Sequence, residues 1–278
     1  MNAVREARER YAAMLRDKAH LRSAALVRAF AEVPREAFLG SGPWQILGSQ
    51  TVNPIHLYDD VLVPIDRTRS LMNGLPSFIA GSIDALDLCA GEHVLHVGCG
   101  TGYYSAVLAN VVGDRGSVIA LEIEPDLAER SRHNLAHLPQ VQLVCANGSI
   151  YDPGQVDAIF VNAGATHPCD LWLDRLRPGG RLVFPLTRSN WAGAMLKVTF
   201  TAGSYAAAVI SAGGMYPCAG AIDAEAERRL REALDKGGYD RVRCLRREAH
   251  EREESCWLHG VGYCFSTLAP IDTSSHRS

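Results

Sequence analysis

His93-Val94-Leu95-His96-Val97-Gly98-Cys99-Gly100-Thr101-Gly102-Tyr103 is a run of apolar and β-branched residues that enters three alternating glycines, and a helix-capable segment, residues 104–112, leaves them. The pattern predicts a buried strand, a tight turn and the N-terminus of a helix. Glycine is needed where a side chain would stop the backbone closing on a ligand. The unpaired N–H groups at the start of the helix favour an anionic group. The G-x-G-x-G spacing of Gly98, Gly100 and Gly102 differs from the G-x-G-x-x-G of dinucleotide sites. A second strand, Ser117 to Leu121, ends in Glu122, about twenty residues on, where an acid can accept hydrogen bonds from both hydroxyls of an adenosine ribose. Turn and acid together point to a nucleoside cofactor.

On either side lie the parts of an α/β sheet. Residues 2–32 place apolar side chains at spacings of three and four, which predicts one or two amphipathic helices covering the core. Residues 40–57 are rich in Gly, Pro, Gln, Asn and Ser and read as loop or short strand, with Trp44, Ile46 and Leu47 buried beneath. Asp59 to Ile65 reads as a short edge strand, because Pro64 disfavours a central position. Ser77 to Leu88 is expected to be a helix, Pro125 to open another that runs to about Leu138, and Val141 to Cys145 and Val156 to Val161 to be strands. The loop 162–168 then falls at the carboxyl end of a strand, the edge where open α/β sheets bind ligands. That topology puts His167 near a reaction; the alternative is an ordinary surface histidine. Further on come a helix over 171–176, a turn at Pro178-Gly179-Gly180, a strand over 181–184 and a hairpin of 194–200 with 205–211.

With these elements in place, the chain resembles the class I S-adenosylmethionine-dependent methyltransferases, and more narrowly the protein-L-isoaspartate O-methyltransferase family. The matching residues are Val33-Pro34-Arg35-Glu36-Ala37-Phe38, Tyr58-Asp59-Asp60 with Leu62-Val63-Pro64-Ile65, the glycine turn, and Leu121-Glu122-Ile123-Glu124-Pro125-Asp126-Leu127. They continue with Asn147-Gly148, the strand 156–161, and Leu176-Arg177-Pro178-Gly179-Gly180 running into Arg181-Leu182-Val183-Phe184-Pro185. The likeness covers about residues 25–217. It implies a Rossmann-like, doubly wound, mostly parallel sheet with N-terminal helices. It also implies S-adenosyl-L-methionine as cofactor, held by Gly98, Cys99, Gly100, Thr101, Gly102, Glu122, Ile123, Asn147 and Gly148. Asn147 stands where many methyltransferases carry an Asp that accepts from the adenine amino group, and an Asn oxygen can do the same more weakly. His96 stands where related enzymes often carry an acid that holds the donor's amino group; a satisfied buried histidine is the alternative.

The chain departs furthest from the family at Asp66-Arg67-Thr68-Arg69-Ser70-Leu71-Met72-Asn73-Gly74-Leu75-Pro76. The family carries Gly-Gln-Thr-Ile-Ser-Gln-Pro there, a loop over the methyl donor whose hydroxyls help to bind the substrate. Counting back from Pro76, the family's Ser falls on Gly74 and its Thr on Met72; Thr68 and Ser70 replace them only if the loop is shifted. The same loop carries two arginines, and guanidinium forks suit a carboxylate. Arg67 or Arg69 would then orient a carboxyl acceptor, which needs no strong base, with Ser70 as a hydrogen-bond partner; His167 is the candidate base if the acceptor is instead a hydroxyl or an amine. Alternatively, the arginines pair with Asp59, Asp60 or Asp66.

Composition narrows the classes. Of 278 residues 47% are hydrophobic and 21% charged, ordinary for a globular protein. The net charge of -3 gives no reason to expect nucleic acid as a partner. No apolar run is long enough to span a membrane, and no secretory segment opens the chain, so a cytoplasmic protein is expected. The eight cysteines, at 89, 99, 145, 169, 218, 244, 256 and 264, show neither C-x-x-C pairing nor zinc-ligand spacing, so no metal site is expected and reduced thiols are the simplest account. Residues 1–220 read as the methyltransferase domain and 221–278 as an appendage. In the appendage Asp223 is expected to cap a helix through Lys236, with Glu227 and Arg231 as an i,i+4 pair, strand-like runs over 241–246 and 255–266, and an expected disordered tail at 273–278.

Three activities fit. The first is a carboxyl methyltransferase acting on a peptide or protein; the second is a small-molecule O- or N-methyltransferase using His167 as base; the third is a cofactor-binding protein without catalysis.

Overall fold

The computed structural model describes residues 2–201 and 203–270; the tail 273–278 lies outside them. The chain divides into two compact units, one ending at Ala146 and the other beginning at Asn147. No described helix is long and apolar enough to cross a membrane.

The first unit opens with α1 (Asn2–Lys18) and α2 (Ala24–Glu32), the two helices expected there. Ser23 caps α2 by accepting from Leu26 N at 3.2 Å. Two small antiparallel hairpins follow, β1 (Trp44–Ile46) with β2 (Ser49–Thr51), and β3 (Pro64–Asp66) with β4 (Leu71–Met72). The edge strand expected over 59–65 is thus confined to its last residues. Leu47 is not buried: it sits in the β1–β2 turn at φ 49°, 87% exposed. A tight hairpin turn has no inside in which to hide it.

Then α3 (Pro76–Asp84), β5 (His93–Val97), α4 (Tyr103–Val112), β6 (Ser117–Glu122), α5 (Pro125–Leu135) and β7 (Val141–Cys145) alternate. Strands β5, β6 and β7 are parallel, with His93 opposite Ser117 and Glu122 opposite Cys145 at the two ends. Every residue of α4 but Asn110 is buried, so this helix is core all round rather than amphipathic. Helix α3 stops short of Leu88, because Asp87 takes φ 50° and breaks the turn.

Arg35 holds the entry to this unit. It is fully buried and donates from Nη1 to Leu57 O at 2.7 Å and from Nη2 to Val61 O at 2.9 Å. Its guanidinium lies 6.0 Å from the ring centres of Tyr11 and of Tyr103. The charge thus satisfies carbonyls of the irregular 57–61 segment that no regular ladder could reach.

In the second unit β8 (Val156–Val161) runs parallel to β9 (Leu176–Thr187), with α6 (Asp170–Asp174) between them. The expected Pro178-Gly179-Gly180 turn is an irregularity inside β9, with Gly179 at φ 82°. Strands β10 (Gly193–Thr201) and β11 (Ser204–Ala212) form the expected hairpin, antiparallel to β9. Helix α7 (Ala224–Lys236) is capped by Asp223, which accepts from Ala226 N at 2.7 Å. Glu227 is not spent on Arg231: its carboxylate accepts from Ser189 N and Oγ, while Glu225 pairs with Arg228 and Arg229. Beyond α7, β12 (Cys244–Arg246) pairs with β11 and with β14 (Cys264–Ser266), and β14 pairs with β13 (Cys256–His259). The run expected over 255–266 is therefore a hairpin, and the strands of the appendage continue the antiparallel sheet of β9 to β11.

Arg35→Ala leaves buried carbonyls without donors and should destabilise the chain by about 3 kcal/mol or more in urea unfolding. A loss below about 1 kcal/mol would mean the guanidinium is not what holds the 57–61 segment.

Candidate functional site

Residues 98–102 leave β5 in a conformation that only glycine adopts easily, with φ of 75°, 59° and 94° at Gly98, Gly100 and Gly102. Gly102 is also a close approach: a Cβ there would stand 2.8 Å from Ser131 Oγ and 2.9 Å from Leu135 Cδ1 of α5. The turn is tied to the end of β6 by Gly98 N and Cys99 N, both donating to Leu121 O at 2.9 Å. It is tied again by Gly100 N, which donates to Glu122 Oε2 at 2.7 Å. Glu124 N donates to the other oxygen of that carboxylate at 3.1 Å. Each oxygen keeps acceptor capacity for a further donor.

Glu122 is buried, and burial raises its pKa above the ordinary carboxylate value, against the lowering pull of the backbone donors. Thr101 Oγ1 is buried in the same turn without a hydrogen-bond partner. Ile123, beside Glu122, is one of the exposed large apolar side chains. An acid with spare lone pairs, a glycine cradle, an orphan hydroxyl and an apolar face fit the ribose and base of a nucleoside. Cys99 has no nucleophilic part here, since burial pushes its thiol up to about 12. His96 is a buried structural histidine: its Nδ1 lies 2.8 Å from Ser105 Oγ and burial lowers its pKa to about 3, so it stays neutral.

The 66–76 loop belongs to the same unit. Ile65, at its start, lies over the glycine turn, its Cδ1 3.2 Å from where a Gly100 Cβ would be. Arg69 is fully engaged by carboxylates: Asp66 at 2.7 Å, Glu124 at 2.6 Å and Asp126 at 2.6 Å. It clasps the loop to the start of α5, and its guanidinium has no fork left for an acceptor. Thr68 is likewise spent, its hydroxyl donating to Asp66 Oδ1 at 2.7 Å. Arg67 makes no ion pair among the described residues. Asp60, which could have held it, accepts from Ser77 and pairs with Lys18.

Arg67 and Ser70 line an open cleft of about 500 Å³, together with Leu47, Leu62, Met72 and Leu75. Ser70 sits at φ 57°, a strained backbone position for a non-glycine residue. Gly74 and Met72, the two positions where the family carries hydroxyls, offer a packed glycine against Ile79 and an exposed thioether.

In the second unit Asn147 Oδ1 accepts from Ser149 N at 3.0 Å and Ser149 Oγ at 2.8 Å. The oxygen expected to face adenine is thus committed to a local turn. Gly148 O accepts from Trp172 Nε1 at 2.8 Å. His167 is half-buried, its Nδ1 3.1 Å from Thr166 Oγ1 and its ring stacked 6.4 Å from that of Tyr263. Burial lowers its pKa, with Asp223 and Asp170 opposing, which keeps the imidazole neutral at neutral pH. The loop around it is laced to residues 216–223, with Gly164 N donating to Tyr216 O and Thr166 N to Ala221 O.

The family model for protein-L-isoaspartate(D-aspartate) O-methyltransferase matches residues 6–206. A protein-L-isoaspartate O-methyltransferase of Methanothrix thermoacetophila is 34% identical over 165 residues, 58% of this chain and 73% of that protein. One from Methanopyrus kandleri is 33% identical over 187 residues, 66% of this chain and 77% of that protein. Among solved structures, a protein-L-isoaspartate O-methyltransferase aligns with a TM-score of 0.66 and 23% identity, over 82% of this chain and 69% of its own. A Plasmodium falciparum protein assigned to that activity, in complex with S-adenosyl-L-homocysteine, aligns with a TM-score of 0.63 and 19% identity, over 76% and 97%. At these identities the structures show that the fold is the methyltransferase fold.

Glu122→Ala should weaken binding of S-adenosyl-L-homocysteine by about tenfold or more in calorimetry, the worth of charge-assisted hydrogen bonds. In the wild type, affinity should be full at neutral pH and fall as acid protonates Glu122, beginning above the ordinary glutamate range because its pKa is raised. Equal affinity in both proteins across that range would remove Glu122 from the site.

Proposed function

The chain belongs to the protein-L-isoaspartate(D-aspartate) O-methyltransferase family, and from that membership we propose that it methylates a carboxylate on a peptide or protein through the cleft beside Arg67. It is an S-adenosylmethionine-dependent methyltransferase. When bound, the donor supplies an electrophilic methyl group on a sulfonium. Gly98, Cys99, Gly100, Thr101, Gly102, Glu122 and Ile123 would hold it, with Glu122 accepting from the ribose hydroxyls.

The observation that carries the acceptor reading is Arg67, a guanidinium in an open cleft with no carboxylate partner among the described residues. Its neighbour Arg69 is saturated by three acids, so the loop already supplies its own cohesion and leaves one fork for a ligand. A guanidinium binds a carboxylate through two parallel N–H bonds and so fixes its orientation. The flanking Leu47, Leu62, Met72 and Leu75 are exposed and offer apolar contact to the residues on either side of that carboxylate, which favours a peptide over a small polar acid. Ser70 can donate to the second carboxylate oxygen.

A carboxylate is anionic at neutral pH and needs no base to attack the methyl group; the work left to the protein is orientation and exclusion of water. His167 is then a neutral loop residue stacked on Tyr263 rather than a proton acceptor.

With labelled donor and isoaspartyl peptides, the product should be an ester that releases methanol in mild base. Arg67→Met should lower kcat/KM for the peptide by about 10- to 100-fold, mostly through KM, while donor binding is unchanged. No base-labile label on isoaspartyl or other carboxyl peptides would overturn the proposal. His167→Ala should change the rate by less than about threefold, whereas a general base would cost about a hundredfold or more. A loss of that size would assign the acceptor to the hydroxyls or amines.

A further inference from the structure

The appendage brings together four side chains that the methyltransferase reading does not use. His250, Cys256, His259 and Cys264 present one ligand atom each, all within 4.8 Å of one another. His259 and Cys264 are directly opposed in the β13–β14 hairpin, and Cys256 stands at the far end of β13. His250 arrives from the segment before that hairpin, and its Nε2 lies 3.5 Å from Cys256 Sγ. In a tetrahedral zinc site, with Zn–S near 2.3 Å and Zn–N near 2.0–2.1 Å, neighbouring ligand atoms stand about 3.3–3.8 Å apart.

The surroundings suit such a site. His250 Nδ1 lies 2.9 Å from Glu248 O, which fixes the ring so that Nε2 is the nitrogen turned inward, as the outer contacts of metal-bound histidines do. Glu253 N donates to Cys256 Sγ at 3.4 Å, a bond that favours a thiolate. His259 Nδ1 is buried without a hydrogen-bond partner. The two rings meet edge to face at 4.8 Å, converging rather than stacking. Both cysteines are buried and both histidines half-buried, so four protein ligands would complete the coordination and leave no open position.

We propose that His250, Cys256, His259 and Cys264 bind one structural zinc ion that fastens the C-terminal hairpin. Two thiols and two imidazoles in a tetrahedral array select zinc among the common divalent ions, and on binding the thiol protons pass to solvent. The ion would cross-link the segment before β13 to both strands of a hairpin only three to four residues long on each side, whose β13 is the edge strand of its sheet and, among the described residues, has β14 alone beside it. It also fixes the turn 260–263. That turn carries Tyr263, whose ring stacks on His167, so the clamp would steady the face on which the 162–168 loop rests.

The full chain, without a metal-binding tag and grown with zinc, should carry about one zinc per molecule by mass spectrometry of the metal. Cys256→Ser with Cys264→Ser should abolish that zinc, whereas Cys89→Ser, an exposed cysteine elsewhere, should keep it. Stripping the wild type with a chelator should lower Tm by at least about 5 °C, and zinc should restore it. Cobalt loaded in place of zinc should give the visible absorption of a tetrahedral thiolate complex, which tests the site even if the double variant does not fold. Zinc below about a tenth of an equivalent with no cobalt spectrum, zinc retained in a folded double variant, or a Cys256–Cys264 disulfide in the native peptide map would each overturn the proposal.

Discussion

A carboxylate taken out of water must be given donors, and in this chain Glu122 receives them from the very turn it helps to shape. Gly100 N and Glu124 N hold its two oxygens, while Leu121 O receives Gly98 N and Cys99 N. The glycine turn and the end of β6 therefore define each other. Removing the carboxylate would leave the Gly100 N–H without its acceptor. Leu135 and Ser131 press on Gly102 from α5 and leave no room there for a Cβ, so the start of α4 packs directly against α5.

The loop before α3 shows how local charge divides two neighbouring arginines between separate tasks. Arg69 is surrounded by Asp66, Glu124 and Asp126 and serves cohesion. Arg67, two residues away, finds Asp60 already occupied by Ser77 and Lys18 and faces the open cleft. The family hydroxyls missing at Met72 and Gly74 are not both recovered by a shift of the loop, because Thr68 is bound to Asp66; only Ser70 remains beside the cleft. This loop is where the chain's acceptor preference would part from that of its relatives.

The strands and helices with a strong hydrophobic period were legible in the sequence: β5, β6, β7, β8, the β10–β11 hairpin and the Asp223-capped helix stand where pattern and capping put them. What could not be read was set by pairing across distance. The role of Arg35 depends on carbonyls of Leu57 and Val61 that no periodicity reveals. The Asn147 oxygen accepts from Ser149 N and Oγ, a local turn that no spacing in the sequence reveals. The His250, Cys256, His259 and Cys264 group escaped because its spacing alternates residue types, and its geometry appears only once β13 folds back on β14 with His259 opposite Cys264.

The stretch from Glu122 to Asp126 would touch both ends of the proposed reaction. Glu122 holds the glycine turn, where the donor would sit, and Glu124 and Asp126 grip Arg69 of the loop beside the cleft. If seating the donor favours one position of the loop, filling the cleft must favour the donor by the same factor. Since the grip is ionic and partly exposed, dissolved salt would loosen it, and that reciprocity would fade as ionic strength rises.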